Sequence, residues 1–148
     1  MCFQLYAATT KPIPRRKWQQ GSRDLPVASL TERDVAVKAH FTNPEVQFIG
    51  STSGCGCDFP HVVFQGGDWY FFEDSEIDEE QAASDLLNRE GLVGVLQSTR
   101  DSMIELYGMW DGDFADAPRI FEDISLETIL KSDFRFKERG FYRVHLHF

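Results

Sequence analysis

Between residues 103 and 110 the chain reads Met-Ile-Glu-Leu-Tyr-Gly-Met-Trp, and this stretch limits the fold more than any other. Successive side chains of a strand point to opposite faces, which puts Ile104, Leu106 and Gly108 on one side and Met103, Tyr107 and Met109 on the other. Apart from Glu105, neither face is polar. A strand that is apolar on both sides has to be covered on both sides, so it belongs in the middle of a sheet with material packed above and below.

The neighbouring segments supply such a sheet and its cover. Phe3 to Ala8 reads as a strand that opens the domain. Pro26 to Leu30, Val46 to Ile49, His61 to Gln65 and Trp69 to Phe72 read as further strand material, the last two separated by Gly66 and Gly67. Four aromatics in a row at 69–72 are either sandwiched between layers or exposed as a contact surface. Asp111-Gly112 is a hairpin signal, with Arg119 to Phe121 as the returning strand beside 103–110. The end reads as a second hairpin: Phe134 and Phe136, a turn at Lys137 to Gly140, and a strand from Phe141 to Phe148. In that last strand Tyr142, Val144, Leu146 and Phe148 share one face, and Phe141, Arg143, His145 and His147 the other.

Three helices are expected. Thr31 caps the first, which places Leu30, Val35 and Ala39 on one side, has His40 near its end and stops at Asn43-Pro44. The longest opens on the acidic run Glu73 to Glu80, whose Asp78, Glu79 and Glu80 favour the positive end of the helix dipole. Its apolar face is Ala82, Ala83, Leu86, Leu87, Leu92, Val93 and Leu96, and it ends near Arg100, with Gly91 and Gly94 as points of bending or close approach. Ser125 caps a short third helix, Leu126 to Lys131. The fold class is therefore α+β (mixed α/β): one domain over residues 1–148, a mainly antiparallel sheet with about three helices packed on it.

The chemistry-bearing stretch is Gly50-Ser-Thr-Ser-Gly-Cys-Gly-Cys-Asp-Phe59, which holds two of the three cysteines. Glycines on either side of Cys55 permit a tight turn and close backbone approach. Four readings fit. Cys55 and Cys57 bind a soft ion such as zinc, with His61 four residues on as a third ligand. They form a strained and easily reduced C-x-C disulfide. One thiolate is a nucleophile paired with a histidine, although Asp58 disfavours a thiolate at Cys57. Or reduced thiols simply pack as small apolar groups, which is their commonest role.

Two further groups bear on that site. His145 and His147 form an H-x-H pair on the terminal strand, a metal-ligand spacing. If that strand lies antiparallel to the first, its end reaches Cys2, and Cys2, Cys55, Cys57 and both histidines converge. Cys2 is also small enough for the initiator methionine to be removed. The Met1-Cys2 start resembles the opening of N-terminal nucleophile amidotransferases, in which an exposed thiol attacks an amide. The likeness covers two residues, and the longer domains' glutamine-binding motifs are absent, so the activity is not carried over.

Elsewhere the polar signals read as scaffold. Trp18, in the basic loop Lys11 to Arg23, is expected to fold back on the core rather than stack a base. Asp111, Asp113 and Asp116 read as a solvated turn, because the calcium-loop spacing is not met. His40 reads as a capping or surface residue.

With 24 acidic and 15 basic residues the formal charge is −9. That balance argues against nucleic acid and anionic membrane surfaces, and for a basic protein partner. No basic leader precedes an apolar run and no window approaches a membrane span, and the cysteine count is odd, so a reducing, cytoplasmic location is expected. With no phosphate-cradling, serine-elbow or zinc-protease motif, the primary expectation is a non-enzymatic interaction module. The alternative is a thiol-dependent protein with zinc or a catalytic cysteine, drawing on Cys2, Cys55, Cys57, His61, His145 and His147.

Overall fold

The octapeptide at 103–110 is the centre of the molecule. In the computed structural model, which describes residues 2–65, 67–70 and 79–146, it forms β6 (Met103–Trp110), flanked on both edges by antiparallel partners. One is β1 (Phe3–Thr9) and the other β9 (Gly140–His145). Outside β1 lie β3 (Glu45–Ile49) and β2 (Val27–Ser29), both antiparallel to their neighbours, and outside β9 lies β7 (Ile120–Ser125), parallel to it. The order in the six-stranded sheet is β2-β3-β1-β6-β9-β7. A smaller sheet pairs β4 (His61–Gln65) antiparallel with β5 (Asp68–Tyr70) and parallel with β8 (Phe136–Lys137).

Both faces of the large sheet are covered, as the two-sided apolar pattern requires. On one face Phe3, Leu5, Ala7, Ile104, Leu106, Tyr142 and Val144 pack with Leu92, Val93, Val95 and Leu96 of helix α1 (Glu79–Gln97) and Ile129 of α2 (Leu126–Leu130). On the other, Tyr6, Ala8, Tyr107, Met109 and Phe141 pack with Val37 of a 3₁₀ helix, Val35–His40, and with Leu30, Phe41 and Phe114. Each fully buried Leu, Ile or Phe is worth about 1.5–3 kcal/mol against exposure, so the sheet centre dominates stability. The exceptional residue, Glu105, is buried but saturated: its carboxylate accepts from the Thr42 N–H (3.0 Å), the Asn43 N–H (2.7 Å) and the Thr42 hydroxyl (2.9 Å). The mainly antiparallel α+β arrangement with three helices is as expected, and among the described residues no helix is long and apolar enough to cross a membrane.

Both predicted hairpins are corrected. The turn at Asp111-Gly112 exists, with Gly112 at φ 102°, but the chain after it does not return beside β6, because β9 takes that edge and β7 lies one strand further out. At the end of the chain the turn before Gly140 separates β8 and β9 into different sheets instead of joining them as a pair. A turn motif reverses direction locally; which strand fills the adjacent position is set by the two-faced apolar burial of β9.

The first helix is also corrected. Thr31 does accept from the Arg33 N–H (3.3 Å), and Asp34 returns its carboxylate to the Thr31 N–H (2.7 Å) in the manner of a capping turn while also accepting from the Tyr6 hydroxyl (2.9 Å), yet no α-helix follows. Only six residues of 3₁₀ helix follow, with Val37 inward and Val35 and Ala39 exposed. In α1 the apolar face is buried from Leu92 onward, whereas Ala82, Ala83 and Leu86 are exposed and the polar Asn88 and Arg89 are buried. The helix ends at Gln97 and runs through both glycines. Gly91 is a close approach, where a β-carbon would stand 3.0 Å from Leu25, while Gly94 faces open space. Residues 71–78, which include most of the acidic run, lie outside the described residues, as do the side chains of Trp69 and Tyr70 and residues 147 and 148.

Candidate metal centre

Where β1 and β3 stop pairing, the chain leaving β3 folds into the 50–59 loop and lies across the start of β1. Two glycines make this possible. A β-carbon at Gly56 would stand 2.4 Å from the Phe3 carbonyl oxygen, and one at Gly50 would stand 2.7 Å from the Gly54 carbonyl oxygen. Gly54 itself has φ 97°, in the region that favours glycine. The loop is closed by the Ser51 N–H to the Cys55 carbonyl (2.7 Å), the Gly54 N–H to the Ser51 carbonyl (2.9 Å) and the Phe59 N–H to the Gly56 carbonyl (3.0 Å).

Trp18 and Asn88 hold the loop from outside, and a third contact holds Cys2. Trp18 does not fold back on the core as expected: it lies over Gly54 of the loop, half exposed, and donates its indole N–H to the Thr52 carbonyl (2.8 Å). Asn88 of α1 binds Thr52 on both sides, accepting from its N–H (2.9 Å) and donating to its hydroxyl (3.2 Å). The Asp111 N–H donates to the Cys2 carbonyl (2.8 Å), fixing the residue before β1 against the turn after β6. Sequence reasoning did not identify Asn88 as an anchor; the signal was a polar amide on the buried side of an otherwise apolar helical stretch.

These constraints bring Cys2, Cys55 and Cys57 together, all half-buried and reduced, with their sulfurs within 4.8 Å of one another. Zinc–thiolate bonds of about 2.3 Å at tetrahedral angles would set sulfurs roughly 3.8 Å apart, so a contraction of an ångström or less closes the triangle on an ion. The two loop thiols are shifted in opposite directions. Burial pushes the Cys55 thiol up, but the bonds its sulfur accepts from the Cys57 N–H, the Ser53 hydroxyl and the Cys57 and Cys2 thiols outweigh it and hold it below the ordinary thiol range. Burial, and then the bonds to Cys55 and Cys2, push Cys57 up to about 12 against the opposing Phe3 N–H. Three sulfur donors in one place, with Cys55 the more acidic of the two loop thiols, form the kind of set that soft cations select.

The predicted histidines are elsewhere. His61 is not in the converging group: its ring stacks on Phe3 (centroids 4.6 Å apart, 4° between planes), meets Trp110 edge-on, and places Nδ1 2.6 Å from the Phe59 carbonyl. Burial lowers its pKa, partly offset by that bond. His145 is far away, because β1 and β9 are both antiparallel to β6 and therefore parallel to each other. Leu5 and Gly140 both oppose Gly108, so Cys2 lies three residues below that level and His145 five above it, roughly 25 Å apart along the strands. His145 instead meets Asp123 of β7 (2.9 Å), an exposed pair. His147 lies outside the described residues. His40 bonds the Phe114 carbonyl (2.8 Å), and Asp111 takes a two-pronged contact from Arg33 (2.6 and 2.7 Å), so both serve the scaffold.

Fold and site together define an α+β protein with a three-thiol cluster at the start of its second-most central strand. Protein-family profiles, curated proteins and solved structures compared with the chain yield no match.

Proposed function

We propose that the protein binds a single soft metal ion, zinc or another thiophilic cation, through Cys2, Cys55 and Cys57. Convergence of three sulfurs from two distant parts of the chain carries this reading, and favours it over an acidic interaction module. Two features of the surroundings support it. Backbone N–H groups of Phe3 and Cys57 are directed at cluster sulfurs, and such bonds stabilise thiolate charge whether or not a metal is present. The loop geometry is also over-determined by glycines and by Asn88, which suits a ligand set held ready for binding. Three protein ligands leave a fourth position of a tetrahedral ion for water or an exogenous donor, so the site is open rather than closed.

Native mass spectrometry of the reduced protein after zinc addition tests this. One ion per chain is expected, lost on denaturation and absent from the Cys2→Ser, Cys55→Ser, Cys57→Ser triple variant. Cadmium substitution should give a thiolate-to-metal ultraviolet absorption band. An apo protein in excess zinc, or a triple variant that still retains zinc, would overturn the proposal.

A further inference from the structure

At β2 the outer edge of the large sheet is closed at one position and open at the next. Val27 exchanges two main-chain bonds with Arg16, each 2.9 Å from N–H to carbonyl, so its polar groups point away from β3. Strand alternation turns the N–H and carbonyl of Ser29 the same way. The residue that would oppose Ser29 is Pro14, two before Arg16, and its ring nitrogen has no proton to donate. Among the described residues nothing pairs with the Ser29 main chain on that side, and Ser29 is exposed.

Ser29 and Pro14 both line a cavity of about 600 Å³ that also takes in the 3₁₀ helix and the start of β3. Its apolar surface comes from Pro12, Pro14, Leu30, Val35, Pro44 and Val46, with Val35 left 50% exposed. Gln47 spends its amide on the N–H and carbonyl of Ile13 (2.8 Å each), which fixes the proline wall. Two exposed cations, Arg15 and Lys38, stand in the lining against one carboxylate, Glu45. Arg15 belongs to the stretch 11–23, which holds five cations and no acid in a chain of formal charge −9. Asp24 offsets one of the five, 3.6 Å from Arg16. The potential at the groove is therefore positive on a molecule that is otherwise acidic.

The geometry points to a docking groove for an extended acidic peptide of a partner protein, its main chain paired with Ser29 and its carboxylates set against Arg15 and Lys38. An open strand edge supplies affinity through main-chain bonds, and the flanking side chains select the sequence. A donor and an acceptor at main-chain spacing match a peptide, and the overall charge of −9 opposes nucleic acid. The groove lies at the start of β3 and the thiol cluster beyond its end, so this site does not depend on metal binding.

Fluorescence anisotropy of the full chain with labelled heptapeptides, in which Glu alternates with Val, Leu or Phe, tests it. Saturable binding below about 1 mM is expected for at least one of the three, with no binding of the counterparts that carry Lys in place of Glu. Methylating the backbone nitrogens of one alternate set of residues should weaken binding at least about tenfold, and methylating the other set should not, because only one set faces the strand edge. The double variant Arg15→Glu, Lys38→Glu changes exposed side chains only and should weaken binding by a similar factor. Failure of all three acidic peptides to bind, or equal binding of the Lys series, would overturn the proposal. So would tighter binding of oligouridylate than of any peptide, which would make the patch a nucleic-acid surface, or a dimer in sedimentation that the double variant dissociates, which would make the occupant a second copy.

Discussion

Asn88 and Thr52 hold each other by two hydrogen bonds, amide oxygen to backbone N–H at 2.9 Å and amide nitrogen to hydroxyl at 3.2 Å, across 36 residues of chain. Asn88 is fully buried, and its nitrogen also donates to the Ser84 carbonyl (2.9 Å), so the helix and the cysteine loop are one polar unit. Asn88→Ala removes its two hydrogen bonds to Thr52 and leaves the half-buried Thr52 N–H unpaired, a cost of about 1–3 kcal/mol. Urea unfolding should show that loss, and zinc affinity should fall because the loop is no longer held.

The two loop thiols should react in a fixed order. With Cys55 held below the ordinary thiol range and Cys57 pushed up to about 12, iodoacetamide should alkylate Cys55 first at neutral pH, and Cys57 slowly even at pH 9. Mass mapping of the labelled peptide across pH checks the order. The sign for stability follows: above an unfolded thiol pKa of about 8.5 the unfolded chain loses a proton that folded Cys57 keeps, so its contribution is lost as pH rises toward 12.

His61 works in the opposite direction. Its pKa is lowered by burial, so its contribution is present above the unfolded value of about 6.5 and is lost as pH falls through the folded pKa. Urea midpoints measured below pH 6.5 should decline less steeply in His61→Gln than in the parent. Zinc stoichiometry in this variant should stay at one, since the imidazole is not in the converging group.

Glycine substitutions separate the tight positions from the free ones. Gly56→Ala forces a β-carbon to 2.4 Å from the Phe3 carbonyl oxygen, a backbone atom that cannot swing aside, and should destabilise by more than about 2 kcal/mol. Gly94→Ala meets nothing within 4 Å on an exposed helical face and should stabilise by about 0.4–1 kcal/mol. Thermal unfolding of the two variants should shift in opposite directions.

Legibility in the sequence followed the range of the forces involved. The two-faced pattern of Met103–Trp110 announced a central strand, and the alternation of Tyr142 and Val144 with Phe141 and Arg143 named the faces of β9, because strand periodicity is local. The Ser125 cap was equally local, and it closes a reciprocal capping box with Thr128. The cap at Thr31 formed, but its spacing did not reveal that only a 3₁₀ segment follows, with Val37 alone turned inward and Asp34 tied to the Tyr6 hydroxyl of another strand. Both hairpins misled for a similar reason: turn residues encode reversal but not the identity of the neighbour.

By itself the sequence determined the class of the protein: a two-sided sheet, a long helix, and a glycine-flanked pair of thiols able to turn tightly. Only the tertiary structure decided which groups meet. Antiparallel pairing of β1 and β9 to the same strand set them parallel to each other, which carried His145 away from Cys2. Packing of Gly56 against the Phe3 carbonyl brought Cys2 to Cys55 and Cys57. Contacts separated by more than fifty residues depend on strand order and backbone clearance, and neither is written in local residue choice.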